Sequence, residues 1–262
     1  MGISLRQGLT DNQKKAADLI GITYEEMYDR MMKLQSDFVY PCSIIIPVYN
    51  GEKYILEAVL SALNQTVTCE VIVVNDGSTD KTHDLLCGVP NITYLIKSNG
   101  GTASALNIGI RNSNGNWIHW LSADDVLYPN AVEKMLENID NKEKIYYSNY
   151  DIIDENSGRI GEFIEPIERN FRTREERFKE LMGNYYGNGS STMIHKSVFE
   201  KIGYFDESIQ HSEDYEFMLR AISKGIDLKL IPIKTLKYRY HSEQMTHKVG
   251  GSLNDVIRNR YR

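Results

Sequence analysis

Between residues 42 and 150, short runs of β-branched and apolar residues alternate with segments that carry a helical pattern. The strand-like runs are, in order, CSIIIPVYN, EVIVVNDGS, NITYLI, NWIHWLSADD and KIYYSNYDII. Between the first two runs, Ile55, Val59 and Leu63 recur at the spacing of one helical face. Continuous apolar strands separated by helices are typical of parallel sheets. We therefore predict an α/β fold, with a mostly parallel central sheet and helices on both faces.

After residue 150 the pattern becomes mixed. NSG at 156–158 predicts a hairpin turn, and STMIH, LKLIPI and TLKYRYH predict three further strands. A helix is predicted from about Glu213 to Lys224, with Gly225 as its left-handed cap. No Gly/Ser-rich linker divides this region from the preceding one. We predict one domain over residues 41–262, made of a first half (41–150) and a second half (151–262).

The first forty residues follow a different pattern and predict a helical N-terminal extension. One face of this segment is apolar, at Ala16, Leu19, Ile20, Tyr24, Met27, Met31 and Leu34. Two interpretations stay open. Either the extension packs on the main domain, or residues 1–40 form a partner-docking element or a self-association element, the last of which would make the chain a homo-oligomer.

Composition and charge exclude several classes of protein. The 262-residue chain is 41% hydrophobic and 25% charged, as in an ordinary globular protein, and its net charge of −6 argues against nucleic acid as a partner. The three cysteines have no metal-binding spacing and fit a reducing compartment. The N-terminus lacks the apolar stretch of a signal peptide, and no apolar run approaches the ~20 residues that span a bilayer. We expect a cytoplasmic protein whose membrane contact is peripheral, at the inner face.

Polar residues suited to a nucleotide follow three of the predicted strands. In open α/β sheets, ligands bind at the carboxyl ends of the parallel strands. Tyr49 offers a ring to stack on a base, and Asp76 can accept hydrogen bonds from a base or a ribose, while Gly77 allows the tight turn after it. NGG at 99–101 leads directly into a helix. The chain has neither a G-x-G-x-x-G fingerprint nor a Walker A sequence, which weakens dinucleotide and P-loop interpretations.

Asp124 and Asp125 close the fourth strand-like run, and two readings of the pair stay open. Carboxylates are the ligands that Mg²⁺ or Mn²⁺ prefers, together with substrate phosphates. Alternatively, the two residues cap the next helix.

HSEDYEFMLRA contains a second pair of carboxylates, at the start of a predicted helix. Glu213 and Asp214 either cap that helix or supply a base for an attacking hydroxyl. In YRYH, Arg239 and His241 end the last predicted strand, where either would suit a diphosphate, although a lone histidine is usually structural.

Taken in order, these motifs resemble the family 2 glycosyltransferases, which have the GT-A fold. The resemblance rests on SIIIPVYNGEKYILEAVLSALNQT, EVIVVNDGSTDKT, NGGTASALNIGIRNSNGNWIHWLSADD, GSSTMIHKSVFEKIGYFDE, SEDYEFMLR and YRYH. It runs from about residue 42 to residue 242 and leaves residues 1–40 unexplained. Each motif is weak alone, whereas the ordered set is specific.

On the donor side, the resemblance implies a nucleotide-sugar site in the first half of the domain. Pro47 and Tyr49 would line the base pocket, and Asp76 would bind the nucleoside. Gly101 would lie beside the nucleotide. Asp124 would occupy the metal-binding position at the end of the DxD motif, with Mn²⁺ or Mg²⁺ as the cofactor.

On the acceptor side, the resemblance implies that Asp214 is the catalytic base and that Glu213 supports it. His241 falls where a diphosphate or metal contact is usual. The chain departs from the family pattern at Ser122, where many members have the first acidic residue of the DxD motif. It also has Ala105-Leu106-Asn107 where many members have Ala-Arg-Asn, which removes a cation.

The implied activity is the inverting transfer of one sugar from a nucleotide-sugar, a UDP-sugar by family precedent, to an acceptor hydroxyl. The acceptor would be a glycan, a lipid-linked molecule or another hydroxyl compound in surface polysaccharide or glycoconjugate synthesis. Two alternatives stay open. A sugar-1-phosphate nucleotidylyltransferase would want a Gly-rich basic loop near the first strand, and PVYNGEKY supplies none. A catalytically silent nucleotide-sugar-binding module would have little need of both Asp124 and Asp214.

Overall fold

The computed structural model describes residues 39–183, 187–244 and 252–261. From Tyr40 onward these residues belong to one compact unit. The predicted helical extension, residues 1–40, lies outside the described residues apart from its last two positions. Within the described ranges, no helix has the length and apolar character needed to cross a bilayer.

The described residues form nine strands and eight α-helices. The strands are β1 (Cys42–Val48), β2 (Glu70–Asn75), β3 (Thr93–Ile96), β4 (Trp117–Trp120), β5 (Val126–Leu127), β6 (Lys144–Ile153), β7 (Arg159–Phe163), β8 (Thr192–His195) and β9 (Asp227–Arg239). The helices are α1 (Ile55–Leu63), α2 (Thr82–Leu86), α3 (Thr102–Arg111), α4 (Ala131–Glu137), α5 (Arg174–Gly183), α6 (Lys196–Ile202), α7 (Glu213–Ser223) and α8 (Ser252–Arg260). Short 3-10 helices lie at Ile167–Phe171 and Gly189–Ser191.

The strands form one sheet in the order β3-β2-β1-β4-β8-β6-β9-β5, with β7 beside β6. The pairs β1–β2, β1–β4, β2–β3 and β6–β9 are parallel. Strand β8 is antiparallel to both β4 and β6, so β4 and β6 run in the same direction. Six of the nine described strands therefore share one direction, which confirms the predicted mostly parallel α/β fold.

The sheet is covered on both faces, which explains the continuous apolar strands. All residues of β1 and β2 are buried. Ile45 belongs to the core that includes residues of α3, α6 and α7, whereas Ile44 and Ile46 belong to the core that includes residues of α1 and α4. Because successive side chains of a strand point to opposite faces, a strand buried on both faces needs apolar residues at successive positions.

The two strands predicted at LKLIPI and TLKYRYH are one strand, β9, and this prediction was wrong. Strand β9 pairs with β6 along its whole length, with register shifts between Ser148 and Tyr150. In this ladder Ser148 is opposite Ile231 and Asn149 is opposite Lys234, so Pro232 and Ile233 bulge out of the pairing. Proline cannot donate to a ladder, and the bulge lets the strand continue past it.

Candidate functional site

Asp76 follows β2 directly, and its carboxylate binds the turn before α3. Oδ1 accepts hydrogen bonds from Gly100 N (3.0 Å) and from the Lys97 ammonium, and Oδ2 accepts one of 2.7 Å from Gly101 N. Asp76 is 3% exposed, so the Lys97 charge compensates for its burial. A carboxylate has about four acceptor positions. Gly100 N is shared between Oδ1 (3.0 Å) and Oδ2 (3.2 Å), so one more donor, such as a base N–H or a ribose hydroxyl, would bind Asp76 by replacing one arm of this shared hydrogen bond.

The loop after β1 presents an aromatic ring at the same edge of the sheet. Pro47 is buried opposite Val74 in the β1–β2 ladder, whereas Tyr49 is 51% exposed. The loop is joined to the turn after β2, because Asn50 Oδ1 accepts a hydrogen bond of 2.8 Å from Thr79 N. The Tyr49 ring is thus an exposed surface on an anchored loop, as base stacking requires.

The turn held by Asp76 leads to the second pair of carboxylates. Gly101 has φ +88° and precedes the first residue of α3, Thr102, whose side chain lies beside the Glu213 carboxyl. Burial raises the pKa of Glu213 to about 7, and the charge of Asp214 adds to this rise. Glu213 Oε2 is buried without a hydrogen-bond partner among the described residues. Contacts therefore connect Asp76 with the start of α7.

Asp214 lies in the first turn of α7, at the carboxyl edge of the sheet. The helix precedes β9, which runs in the common strand direction, so its N-terminus lies at the edge where those strands end. Asp214 Oδ1 accepts a hydrogen bond of 2.8 Å from Tyr215 N within the first turn, whereas the N-cap residue, Ser212, makes no side-chain cap hydrogen bond. His211 and Ser212, just before the helix, have φ values of +72° and +61°. Two successive left-handed non-glycine residues are a strained arrangement, and such strain clusters at functional sites.

Asp124 and His241 meet where the segment before β5 lies beside the end of β9. His241 Nε2 lies 3.0 Å from Asp124 Oδ2, and their side chains are 11% and 30% exposed respectively. The His241 ring also lies 5.0 Å, centroid to centroid, from that of Tyr54, which ends the loop carrying Tyr49. A Cβ placed on Gly51 in that loop would be 3.7 Å from Ala123 Cβ. The loops after β1 and β4 are therefore in contact.

Asp125 and Arg239 are buried and are not available to a ligand. Asp125 is 1% exposed, and its Oδ1 accepts a hydrogen bond of 2.9 Å from Arg239 N. Burial, with the nearby Asp124 charge, holds the pKa of Asp125 well above its usual value. Arg239 is 0% exposed, so the expectation that it could contact a diphosphate was wrong. The helix-cap reading of the Asp124–Asp125 pair is also wrong, because α4 begins only at Ala131.

A serine pair occupies the place where family members often have the first acid of the DxD motif. Ser122 N donates to Ser190 Oγ at 3.0 Å, and Ser190 Oγ donates to Ser122 Oγ at 2.8 Å. Ser190 also lies beside the Asp125 carboxyl. The hydroxyls thus fix the loop after β4 without adding a third carboxylate.

The Asp124–His241 pair fits a divalent cation that also binds substrate. No cluster of three or more potential metal ligands occurs in the described part of the chain. Mg²⁺ and Mn²⁺ are commonly bound by one or two protein ligands, with phosphate oxygens and water completing the shell. One carboxylate and one imidazole, both partly accessible, suit such a shared site and not a closed structural zinc site.

The predicted site residues thus lie along one edge of the sheet, in two groups. Contacts link the residues within each group. One group joins Asp76 and Gly101 to Glu213 and Asp214, and the other joins Asp124 to His241. Sequence reasoning did not identify three residues that organise these groups: Lys97, Thr102 and Ser190. Lys97 and Thr102 flank the NGG turn, and Ser190 lies in the GSS motif, so their position in motifs was the available signal.

The comparisons with known proteins agree with this fold. The model of glycosyl transferase family 2 matches residues 43–203, and the chain belongs to this family. An uncharacterized glycosyltransferase of Rickettsia typhi is 39% identical over 221 residues, which cover 81% of this chain and 68% of that protein. The minor teichoic acid biosynthesis protein GgaB of Bacillus subtilis is 32% identical over 217 residues, covering 79% of this chain and 23% of GgaB.

A solved structure shares the fold. The crystal structure of S. aureus TarS 1–349 in complex with UDP-GlcNAc matches with a TM-score of 0.64 and 18% identity. The match covers 82% of this chain and 65% of the TarS chain, so this chain spans somewhat less than two thirds of that fragment. The predicted GT-A type fold is confirmed.

Proposed function

We propose that this protein transfers one sugar from a nucleotide-sugar donor to an acceptor hydroxyl, with inversion at the anomeric carbon. The observation that carries the proposal is the path of contacts from Asp76 through the Gly101–Thr102 turn to Glu213, the neighbour of Asp214. It joins a carboxylate suited to a nucleoside with one suited to accept a proton. Both lie at the edge where α/β sheets bind ligands.

The donor we propose is a UDP-sugar. Tyr49 would stack on the base, Pro47 would support that loop, and Asp76 would accept a hydrogen bond from the nucleoside. Gly101, which has no side chain, would let the α3 N-terminus approach the nucleotide. The choice of UDP is supported by the family resemblance and by the TarS structures, which contain UDP-GlcNAc and UDP.

Asp124 and His241 would hold a divalent cation, Mn²⁺ or Mg²⁺, beside the donor diphosphate. A bound cation there would neutralise the charge that develops on the departing diphosphate. The contact between the two side chains holds the segment before β5 beside the end of β9, and the cation would take the place of the proton between Nε2 and Oδ2.

Asp214 would accept the proton of the acceptor hydroxyl as its oxygen attacks the anomeric carbon. The bond from that carbon to the diphosphate oxygen breaks, and the products are an inverted glycoside and a nucleoside diphosphate. Glu213 would be mostly neutral below pH 7, because burial raises its pKa to about 7. A neutral neighbour adds no second negative charge beside the base.

We further propose a role in surface polysaccharide or glycoconjugate synthesis, with a glycan, lipid-linked or other hydroxyl acceptor. The likeness to GgaB, whose name refers to teichoic acid biosynthesis, supports this assignment. A lipid-linked acceptor would bring the protein to the inner membrane face as a peripheral, cytoplasmic enzyme.

The test is a thermal-shift screen of nucleotide-sugars with and without Mn²⁺, followed by transfer and hydrolysis assays. A true donor should raise the melting temperature in a metal-dependent way, since a ligand that binds only the folded state stabilises it by mass action. Binding without transfer or donor hydrolysis would identify a silent binding module. Release of pyrophosphate from a nucleoside triphosphate and a sugar-1-phosphate would identify a nucleotidylyltransferase instead.

A further inference from the structure

Arg239 is a fully buried cation whose guanidinium binds three separate segments of the chain. Nη2 donates a 2.5 Å hydrogen bond to Glu57 Oε2 on α1, and Nε donates one of 2.8 Å to the carbonyl of Asp124. Nη1 donates to the carbonyl of Asp154 (3.1 Å) and to Ser157 Oγ (2.9 Å) in the β6–β7 turn. Glu57 also accepts a hydrogen bond of 3.0 Å from Ser157 Oγ, which closes the network.

The backbone of Arg239 is held on both sides as well. Its N–H donates to Asp125 Oδ1 at 2.9 Å, and its carbonyl accepts a hydrogen bond from the Gln244 side chain. Gln244 Oε1 in turn accepts a hydrogen bond of 3.2 Å from His241 N. The contacts of Arg239 therefore fix both members of the Asp124–His241 pair through their main chains.

Tyr54 links the same network to the donor loop. The Arg239 guanidinium carbon lies 4.6 Å from the centre of the Tyr54 ring, within the range of a cation–π contact. The His241 ring lies 5.0 Å from the same ring. Tyr54 thus contacts both Arg239 and His241, and it ends the loop that begins at Tyr49.

A purely stabilising role explains this arrangement poorly. A buried ion pair contributes little net stability compared with apolar packing of the same volume. Glu57 is still 45% exposed, so the pair with Arg239 is only half desolvated. Arg239 instead contacts loop carbonyls and the segments beside Asp124 and His241. Such contacts would set the geometry of the Asp124–His241 pair.

We propose that Arg239 is a positioning residue that holds Asp124 and His241 in the arrangement that receives the donor diphosphate and its cation. This inference rests on the proposed function, because that function assigns the pair its ligand. Arg239 acts through its neighbours and does not touch substrate. Outer-shell groups of this kind typically change metal affinity or activity about 10- to 100-fold when they are altered.

The chain offers a matched control in Arg220. Its guanidinium also binds one carboxylate, that of Glu216 on α7, at 2.9 and 3.0 Å, together with the carbonyls of Ile202 and Tyr204. The Arg220 side chain is 14% exposed. Arg220→Lys should therefore remove a similar set of guanidinium hydrogen bonds and leave the segments around Asp124 and His241 unchanged.

The experiment compares Arg239→Lys, Glu57→Gln and Arg220→Lys with the wild type. Binding of Mn²⁺ in the presence of UDP is measured by titration calorimetry. We expect Arg239→Lys to weaken this binding about 10-fold or more, and Glu57→Gln to weaken it less. The control variant should bind within about 3-fold of the wild type while losing thermal stability, as expected from broken buried hydrogen bonds.

A second readout does not need any ligand. The ¹H–¹⁵N signals of the His241 ring, assigned with a His241→Asn variant, report its contact with Asp124. We expect these signals to shift in Arg239→Lys and Glu57→Gln and to stay in place in Arg220→Lys. If Arg239→Lys does not fold, Glu57→Gln carries both measurements, because Glu57 is half exposed and its substitution is isosteric.

The two readouts separate the failure of this inference from that of the proposed function. Unchanged His241 signals in both network variants, or equal loss of affinity in the Arg220 control, would overturn the positioning role. Shifted His241 signals in a protein that binds no nucleotide with or without Mn²⁺ would support the positioning role and refute the proposed function.

Discussion

His241 Nε2 lies 3.0 Å from Asp124 Oδ2, although the two residues are 117 positions apart in the chain. Asp124 lies just before β5, and the antiparallel pairing of β5 with β9 brings it beside the end of β9, which His241 follows. Substitutions at four positions, Asp124, Asp214, Glu213 and Gly77, should have separable effects.

Replacing Asp124 should weaken the binding of metal. We expect Asp124→Asn to raise the Mn²⁺ concentration needed for half-maximal activity by at least about 10-fold, because a neutral amide is a poorer ligand for a hard cation than a carboxylate. Chelation of the metal should abolish activity in the wild type. The measurement is a Mn²⁺ titration of the initial rate. Asp255→Asn, which removes an exposed carboxylate on α8, is the control and should titrate like the wild type.

Replacing Asp214 should remove catalysis and leave donor binding intact. We expect Asp214→Asn to lower kcat about 100- to 10,000-fold, the usual contribution of a general base. The dissociation constant of the donor should change less than about 3-fold, because Asp214 is assigned to the acceptor. Asp84→Asn makes the same change in the first turn of α2 and controls for loss of helix-dipole stabilisation. Turnover at the wild-type rate in Asp214→Asn would rule out the assignment.

Glu213 should make the protein less stable as the pH rises. Its pKa is about 7 in the folded chain, against 4.5 for an unperturbed glutamate. Between these values the folded state binds more protons than the unfolded state, so the free energy of unfolding falls with increasing pH. The loss should be of the order of 3 kcal/mol once the pH exceeds 7.

Glu213→Gln, which stays neutral, should remove this loss. Chemical denaturation from pH 5 to pH 8 measures the free energy of unfolding of the variant and of the wild type. The difference between these two free energies should grow as the pH rises. His119 acts at the other end of the range: its burial lowers its pKa to about 4, which destabilises the folded state as the pH falls below about 6.5. Both proteins share that effect, so it cancels in the difference. Glu200→Gln, at an exposed position, is the control. If the free energies of unfolding of Glu213→Gln and the wild type ran parallel over this pH range, the prediction would be contradicted.

Replacing Gly77 should destabilise the protein for two reasons: its backbone conformation disfavours a side chain, and the neighbouring turn leaves no room for one. Its φ is +76°, and an added Cβ would lie 2.8 Å from Asn99 N. Gly88 has a φ of +88° but no atom within 4 Å of such a Cβ, so it isolates the cost of the backbone conformation. We expect Gly88→Ala to cost about 1–2 kcal/mol of unfolding free energy, and Gly77→Ala to cost roughly 1–3 kcal/mol more.

Gly77→Ala should also weaken nucleotide binding, because the displaced Asn99 turn carries the N–H groups that hold Asp76. Urea denaturation and donor titration of the two variants measure the two effects. Equal behaviour of Gly77→Ala and Gly88→Ala would show that the contact with Asn99 is unimportant.

Local pattern was enough to predict most elements of the sheet. KIYYSNYDII has the same bounds as β6, and STMIH contains β8. The error at β9 arose because Pro232 interrupts the pattern, and only the β6 ladder shows that the strand continues past a bulge. The two-residue strand β5 has too short a pattern to be recognised, and it is defined by its pairing with β9.

The candidate site was predicted in its residue types and motif positions, but not in its supporting contacts. Three supporting pairs cannot be predicted from the periodicity of the sequence. They are Lys97 with Asp76, Thr102 with Glu213, and Ser190 with Ser122. Arg239 was expected to face a ligand, and it is instead buried among loop carbonyls.

The amino-acid sequence by itself determined the class of fold and the strand ends that carry polar residues, because burial on both faces of a sheet imposes a local and readable pattern. It also placed the chain among the family 2 glycosyltransferases through the order of its motifs. The tertiary structure alone decided which carboxylates are accessible, which are buried and which hydrogen-bond one another. Those properties depend on strand order and on contacts between residues up to 182 positions apart, as between Glu57 and Arg239, and no local window of sequence contains them.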